Sequence, residues 1–159
     1  MTVRVHRAQE RTAVALPRKS DEQTKNTILL VDDDAEIRMS VGDILNRSGY
    51  SVLTAADGSS ALQVLRDGIV IDLVIADYQM PGMDGLMLIR RIKEEMPNMP
   101  VVMLTGYGDL ESYQCAAGLD VIRYIRKPIR LRALLQALRE AVTEGSCAGP
   151  RERVQTWRS

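Results

Sequence analysis

Residues 72–85 read DLVIADYQMPGMDG. An unbroken apolar run, Leu73-Val74-Ile75-Ala76, leads into a single carboxylate, Asp77, and then into a turn at Pro81-Gly82. Short continuous apolar runs read as strands buried on both faces, as in parallel sheets covered by helices. Two further runs have the same character, Ile28-Leu29-Leu30-Val31 and Val101-Val102-Met103-Leu104. Each also ends on polar residues: Asp32-Asp33-Asp34 after the first and Thr105-Gly106 after the second. Weaker runs at Ser51–Ala55 and Val121–Ile125 complete a set of five strands.

The segments between them carry helical spacing. Ile37, Val41, Ile44 and Leu45 form one stripe, with Gly49 as a stop signal. Ala61, Leu62 and Leu65 mark a second helix, and Leu88, Ile89 and Ile92 a third that ends near Pro97. The segment from Asp109 to Ala117 is the least apolar and predicts a fourth. Leu131, Leu134, Leu135, Leu138 and Val142 give a fifth, with Gly145 as its stop. These stripes mean core contact and nothing more. Five alternating strand–helix units predict a doubly wound α/β domain over residues 27–144. In such sheets ligands bind at the carboxyl ends of the strands, near the switch point in strand order.

Residues 1–26 are polar and mildly basic and predict a flexible arm, with at most a short strand at Val3–Val5. Residues 145–159 predict a second flexible tail, in which Trp157 is a lone aromatic. The chain has 159 residues, enough for one core. It carries 21 Lys and Arg against 21 Asp and Glu, so its net charge offers no case for a nucleic-acid partner. No run is apolar enough to cross a bilayer and the start lacks a secretory signal, so the expected location is cytoplasmic, with no membrane insertion. Cys115 and Cys147 fit no metal or disulfide spacing, and His6 has no ligand set around it.

The chemistry lies at the predicted strand ends. Asp32, Asp33 and Asp77 would meet there, and clustered carboxylates raise one another's pKa unless a cation joins them. Oxygen ligands without His or Cys favour Mg²⁺, with Mn²⁺ as the second choice, over Zn²⁺. Phosphoryl transfer needs an in-line nucleophile and neutralised equatorial oxygens. Asp77 could be that nucleophile, Lys127 a cationic donor and Thr105 a hydroxyl donor. Each has a plainer reading alone. Asp34 caps the first helix, Asp77 and Thr105 could be turn residues, and Lys127 a surface charge. Their agreement at one sheet edge is what counts against those readings.

In order, ILLVDDD, DLVIADYQMPGMDG, VVMLTGYG and YIRKP resemble the receiver domains of two-component response regulators, over residues 27–143. The resemblance implies a flavodoxin-like sheet with strand order 2-1-3-4-5. It implies Asp77 as phosphoacceptor, with Thr105 and Lys127 as its catalytic partners. Asp32, Asp33, Asp77 and the backbone carbonyl of Gln79 would be the Mg²⁺ ligands, Asp33 more directly than Asp32. Thr105 and Tyr124 would be the switch residues, and Lys127-Pro128 a cis peptide. Gln79 and Tyr107 stand where such domains tune phosphoryl loss. Gly106 stands in place of a common alanine, and Gly118–Val121 departs from the usual spacing before the fifth strand.

The implied partners are a histidine kinase or phosphotransfer protein and a downstream protein target, with no nucleic acid. A homodimer through the face of the fourth helix, fifth strand and fifth helix is a further expectation. With few residues after the fifth helix, the expectation is a single-domain regulator, not an enzyme, that loses its phosphoryl group by intrinsic autodephosphorylation. Two rivals remain. A Mg²⁺-dependent phosphatase would use Asp32 or Asp33 as nucleophile, against the DYQMPG and Lys127-Pro128 contexts. A phosphate-independent interaction module would usually have lost an acidic residue or the lysine, and this chain keeps them.

Overall fold

A computed structural model describes residues 25–106, 118 and 121–146. Five strands appear: β1 (Thr27–Val31), β2 (Ser51–Ala55), β3 (Leu73–Asp77), β4 (Val101–Thr105) and β5 (Arg123–Arg126). They form one parallel sheet in the order β2-β1-β3-β4-β5. Helices α1 (Ala35–Arg47), α2 (Gly58–Arg66) and α3 (Gly85–Glu95) lie between strands, and a last helix spans Leu131–Ser146. The architecture is the α/β, flavodoxin-like one expected.

The continuous apolar runs follow from covering both faces of the sheet. Leu29, Val31, Val74, Ala76 and Met103 point to one side, where Ala61, Leu62 and Leu65 of α2 and Leu88, Ile89 and Ile92 of α3 bury them. Ile28, Leu30, Leu73, Ile75, Val102 and Leu104 point to the other, against Val41 and Leu45 of α1 and Leu134, Leu138 and Ala141 of the last helix. Alternate residues of a strand face opposite ways, so a strand between two helix layers has no polar side.

Aspartates set the first three helices. The side chain of Asp34 accepts from the N–H groups of Glu36 and Ile37, Asp57 from that of Ser60, and Asp84 from that of Met87. These are N-caps, each offsetting unpaired donors of a first turn. Gly49 sits just past α1 with φ of 96°, the left-handed conformation that lets the chain turn back into β2.

Two boundaries differ from the sequence expectation. The fifth strand runs Arg123–Arg126, not Val121–Ile125; its register places Arg123 opposite Val102 and Arg126 opposite Thr105. As an edge strand it needs only one apolar flank, so arginines sit comfortably in it and the apolar pair Val121-Ile122 precedes it. The last helix runs through Gly145 to Ser146. Glycine lowers helix propensity but keeps its N–H donor, so a final turn can pass over it. The predicted fourth helix, Val3–Val5, His6, Tyr107, Cys115, Cys147 and Trp157 lie outside the described residues.

Candidate functional site

The carboxyl ends of β1, β3 and β4 and the residues after β5 meet at one edge. There a cleft of about 630 Å³ is lined by Asp32, Asp33, Asp77, Gln79, Asp84 and Lys127, among others. Asp32 and Asp77 are buried, with 0% and 4% exposure. Asp33, by contrast, is exposed. One carboxylate oxygen from each of the three lies within 4.8 Å of the other two.

Lys127 holds the two buried members together. Its Nζ lies 2.9 Å from Asp32 Oδ2 and 3.1 Å from Asp77 Oδ1. Burial pulls the ammonium down, but the hydrogen bonds and charges of Asp32 and Asp77 outweigh that, so its pKa rises above 10.5. The Asp77 carboxyl is pushed above its ordinary value, first by burial and then by the charges of Asp32 and Asp33, against the opposing pull of Lys127. The site therefore stores electrostatic stress that a further cation would relieve.

The backbone fixes this geometry. Asp32 is held from several directions. Its Oδ1 accepts from the Asp34 N–H (2.9 Å), and its main-chain carbonyl accepts from Arg38 Nη1 (2.7 Å). Tyr78 N–H donates to the Leu104 carbonyl (2.8 Å), and Lys127 N–H to the Thr105 carbonyl (2.7 Å), tying the ends of β3, β4 and β5 together. Gly85 N–H donates to the Tyr78 carbonyl (2.9 Å), closing the loop that follows Asp77. A Cβ on Gly85 would lie 2.3 Å from the Asp77 carbonyl oxygen, so only glycine fits there. The Lys127-Pro128 peptide is cis.

Of the expected site residues, Asp32, Asp33, Asp77, Gln79 and Lys127 line one cleft. Thr105 and Tyr124 are not among its lining residues, although Gly106 is. Thr105 is buried at the end of β4, and Tyr124 pairs in register with Met103 and packs on the α2–α3 side of the core. Arg38 and Gly85 had not been singled out. The first clasps the Asp32 carbonyl from one turn into α1, and the second supports the Asp77 backbone. A glycine seven residues after the loop begins at Tyr78 carries no periodic signal, and an arginine on a helix reads as a solvated charge.

The donor set is oxygen alone, with two buried carboxylates, one exposed carboxylate and an accessible loop at Gln79. Such a set fits a hard divalent cation of the Mg²⁺ or Mn²⁺ type and offers nothing to a soft metal.

A family model for the response regulator receiver domain matches residues 28–139. The transcriptional regulatory protein GlrR of Escherichia coli (strain K12) is 39% identical over 121 residues, which is 76% of this chain but 27% of that protein. The chain thus spans about a quarter of that relative's length. Sporulation initiation phosphotransferase F of Bacillus subtilis (strain 168) is 33% identical over 113 residues, 71% of this chain and 90% of that protein. Among solved structures, a CheY-like receiver domain protein from Methanospirillum hungatei JF-1 superposes with a TM-score of 0.75 at 32% identity, covering 79% of this chain and all (100%) of that one. Sequence order, sheet order and acidic cleft agree, and the chain belongs to the response regulator receiver domain family of two-component systems.

Proposed function

We propose that Asp77 accepts a phosphoryl group from a histidine kinase or phosphotransfer protein. The observation that carries this reading is the juxtaposition at the cleft. Asp77 is nearly buried, its carboxylate touches Lys127, and oxygens of Asp32 and Asp33 lie within 4.8 Å of it and of each other. An Asp77 oxygen attacks the phosphorus of a phosphohistidine, the P–N bond breaks, and the imidazole leaves with the electron pair. Lys127 neutralises charge on a phosphoryl oxygen, and Thr105 donates its hydroxyl to another once it turns inward.

Receiver domains bind Mg²⁺ at an acidic pocket. In this chain Asp32, Asp33, Asp77 and the Gln79 carbonyl would hold Mg²⁺ (or Mn²⁺), which supplies charge neutralisation of the transferring group when bound. Asp32 presents its carboxylate to Lys127 from inside the core, while Asp33 presents its own from the exposed rim. Thr105 and Tyr124 are the switch pair of this reading. A new dianionic group on Asp77 biases them, and the population of two packings near β5 shifts with them.

The finer reading is a cytoplasmic regulator, with residues 27–144 as its working unit, that signals by protein contact and sheds phosphate by hydrolysis. The match that spans 90% of the Bacillus phosphotransferase supports a receiver unit acting without an attached output domain. Among the described residues no helix is long and apolar enough to cross a membrane. A homodimer through β5 and its neighbouring helices belongs to the same reading; light scattering that shows an unchanged monomer with and without beryllofluoride would remove it.

The decisive test is phosphorylation of the intact chain by acetyl phosphate with Mg²⁺, followed by mass spectrometry. A hydroxylamine-sensitive adduct on Asp77, lost in Asp77→Asn, is expected. Multiple turnover of a phosphate ester, abolished by Asp32→Ala and kept in Asp77→Ala, would instead favour the phosphatase.

A further inference from the structure

Arg38 is half-buried and lies one turn into α1, just past three aspartates that line the acidic cleft, Asp32, Asp33 and Asp34. Among the described residues it forms an ion pair with none of them. Its Nη1 donates instead to a neutral acceptor, the main-chain carbonyl of Asp32, at 2.7 Å. Arg38 itself is not one of the cleft's lining residues. A solvated helix charge has no reason to be tied to that carbonyl.

The carbonyl is half of a peptide group, and a peptide group is planar. A bond that fixes the direction of the Asp32 carbonyl also fixes the direction in which the chain enters Asp33. Asp32 is secured in other ways as well. Its N–H donates to the Ala55 carbonyl (3.3 Å), its Oδ1 accepts from the Asp34 N–H (2.9 Å) and its Oδ2 from Lys127 Nζ (2.9 Å). Asp33 has no such support. Its side chain is exposed and accepts no hydrogen bond among the described residues. Yet one of its carboxylate oxygens stays within 4.8 Å of oxygens of Asp32 and Asp77. Among the described residues, Arg38 is the only side chain bonded to the peptide that leads into Asp33.

We propose that Arg38 is a positioning residue for the divalent cation, acting through the Asp32–Asp33 peptide to keep the Asp33 carboxylate at the cleft. The inference rests on the reading of that cleft as a Mg²⁺ site. It gives the arginine an effect opposite in sign to that of its charge. A guanidinium is always ionised and repels a neighbouring cation, so by charge alone its removal would tighten metal binding. Removing the support of a metal ligand loosens binding, typically by about tenfold to a hundredfold. The direction of the change therefore separates the two effects.

The test uses the full chain with Mn²⁺ as the probe, read by loss of the free-ion signal in electron paramagnetic resonance. Arg38→Met keeps the apolar stem and removes the donors, and Mn²⁺ affinity should fall about tenfold or more. Arg38→Gln, too short to make the same bond, should give the same loss and carries the test if circular dichroism shows the methionine variant unfolded. Arg47→Met removes the same charge from an exposed position in the last turn of α1 and should alter affinity by less than about twofold. In an Asp33→Asn background, Arg38→Met should add less than about a twofold loss, because the ligand it orients is already gone. Unchanged or tighter Mn²⁺ binding by the folded Arg38 variants would overturn the positioning role. A full loss in the Asp33→Asn background would also overturn it, since Arg38 would then act by another route. A wild-type chain that binds no Mn²⁺ would instead overturn the reading of the cleft as a metal site, and the inference with it.

Discussion

Replacing Lys127 with methionine, Lys127→Met, keeps much of the stem's volume and removes the charge. It leaves Asp32 and Asp77, 0% and 4% exposed, facing each other without their cation. Two unit charges within 4.8 Å repel by about 3.5 kcal/mol at an effective dielectric constant near 20. The variant has one escape, which is to protonate Asp77. From an ordinary value of 3.8, each pH unit above that costs about 1.4 kcal/mol, or roughly 4 kcal/mol at pH 7. The smaller of the two costs governs, so the loss near neutrality should be about 3–4 kcal/mol, as for other broken buried pairs.

The sign follows from linkage. Asp77 in the variant has a folded pKa further above its unfolded one, so the unfolded chain releases that proton first. Stability is then lost as pH rises from about 3.8 through the folded value. Lys127 itself stays charged throughout, since its raised pKa brings a contribution that is lost only as pH climbs through its folded value above 10.5. Urea unfolding of both proteins in EDTA should therefore show a gap of about 3–4 kcal/mol near pH 7 that shrinks towards about pH 4. Excess Mg²⁺ should narrow the gap near neutrality. A gap of equal size at both pH values and indifferent to Mg²⁺ would mean that Lys127 acts by packing its stem, and the electrostatic account would fail.

Asp77→Asn tests the same stress from the other side. Because burial raises the Asp77 pKa, its ionisation costs stability at neutral pH and not below about 3.8, so in EDTA the variant should be the more stable protein near pH 7 and lose that advantage at about pH 4; urea midpoints at the two pH values check it. Gly85→Ala forces a Cβ to 2.3 Å from the Asp77 carbonyl oxygen and should cost about 1–3 kcal/mol in urea melts, with slower phosphorylation by acetyl phosphate. Asp34→Ala removes a helix cap but keeps the Asp34 N–H bond to Asp32, so it should cost about 1 kcal/mol of stability and leave the phosphorylation rate within about twofold.

The interior of this fold was readable because β1, β3 and β4 are covered on both sides and their runs admit no polar residue. The edge was less so. Val121 and Ile122 drew the fifth strand forward because apolar character was the signal available, whereas the ladder to β4 uses Arg123–Arg126. Gly145 looked like a stop because composition cannot show whether a final turn keeps its hydrogen bonds. At the site, the order of Asp32, Asp77 and Lys127 along the chain sufficed to bring them together. Burial was not legible: of the neighbours Asp32 and Asp33, the first is sealed inside and the second is exposed. The Arg38 clasp and the fit of Gly85 depend on distances that no spacing rule encodes.

The strand order also divides the site by how readily its parts come apart. Asp32 and Asp77 stand at the ends of β1 and β3, each paired on both sides and buried at every position but Thr27. Amides there should exchange with solvent only when the whole domain opens. Lys127 follows β5, a four-residue strand with a single neighbour and two exposed positions. Such a short edge strand opens locally at less cost than the central strands. The carboxylates thus ride on slow-exchanging central strands and their counter-charge beside a faster-exchanging edge, so the lysine can let go while its platform stays folded.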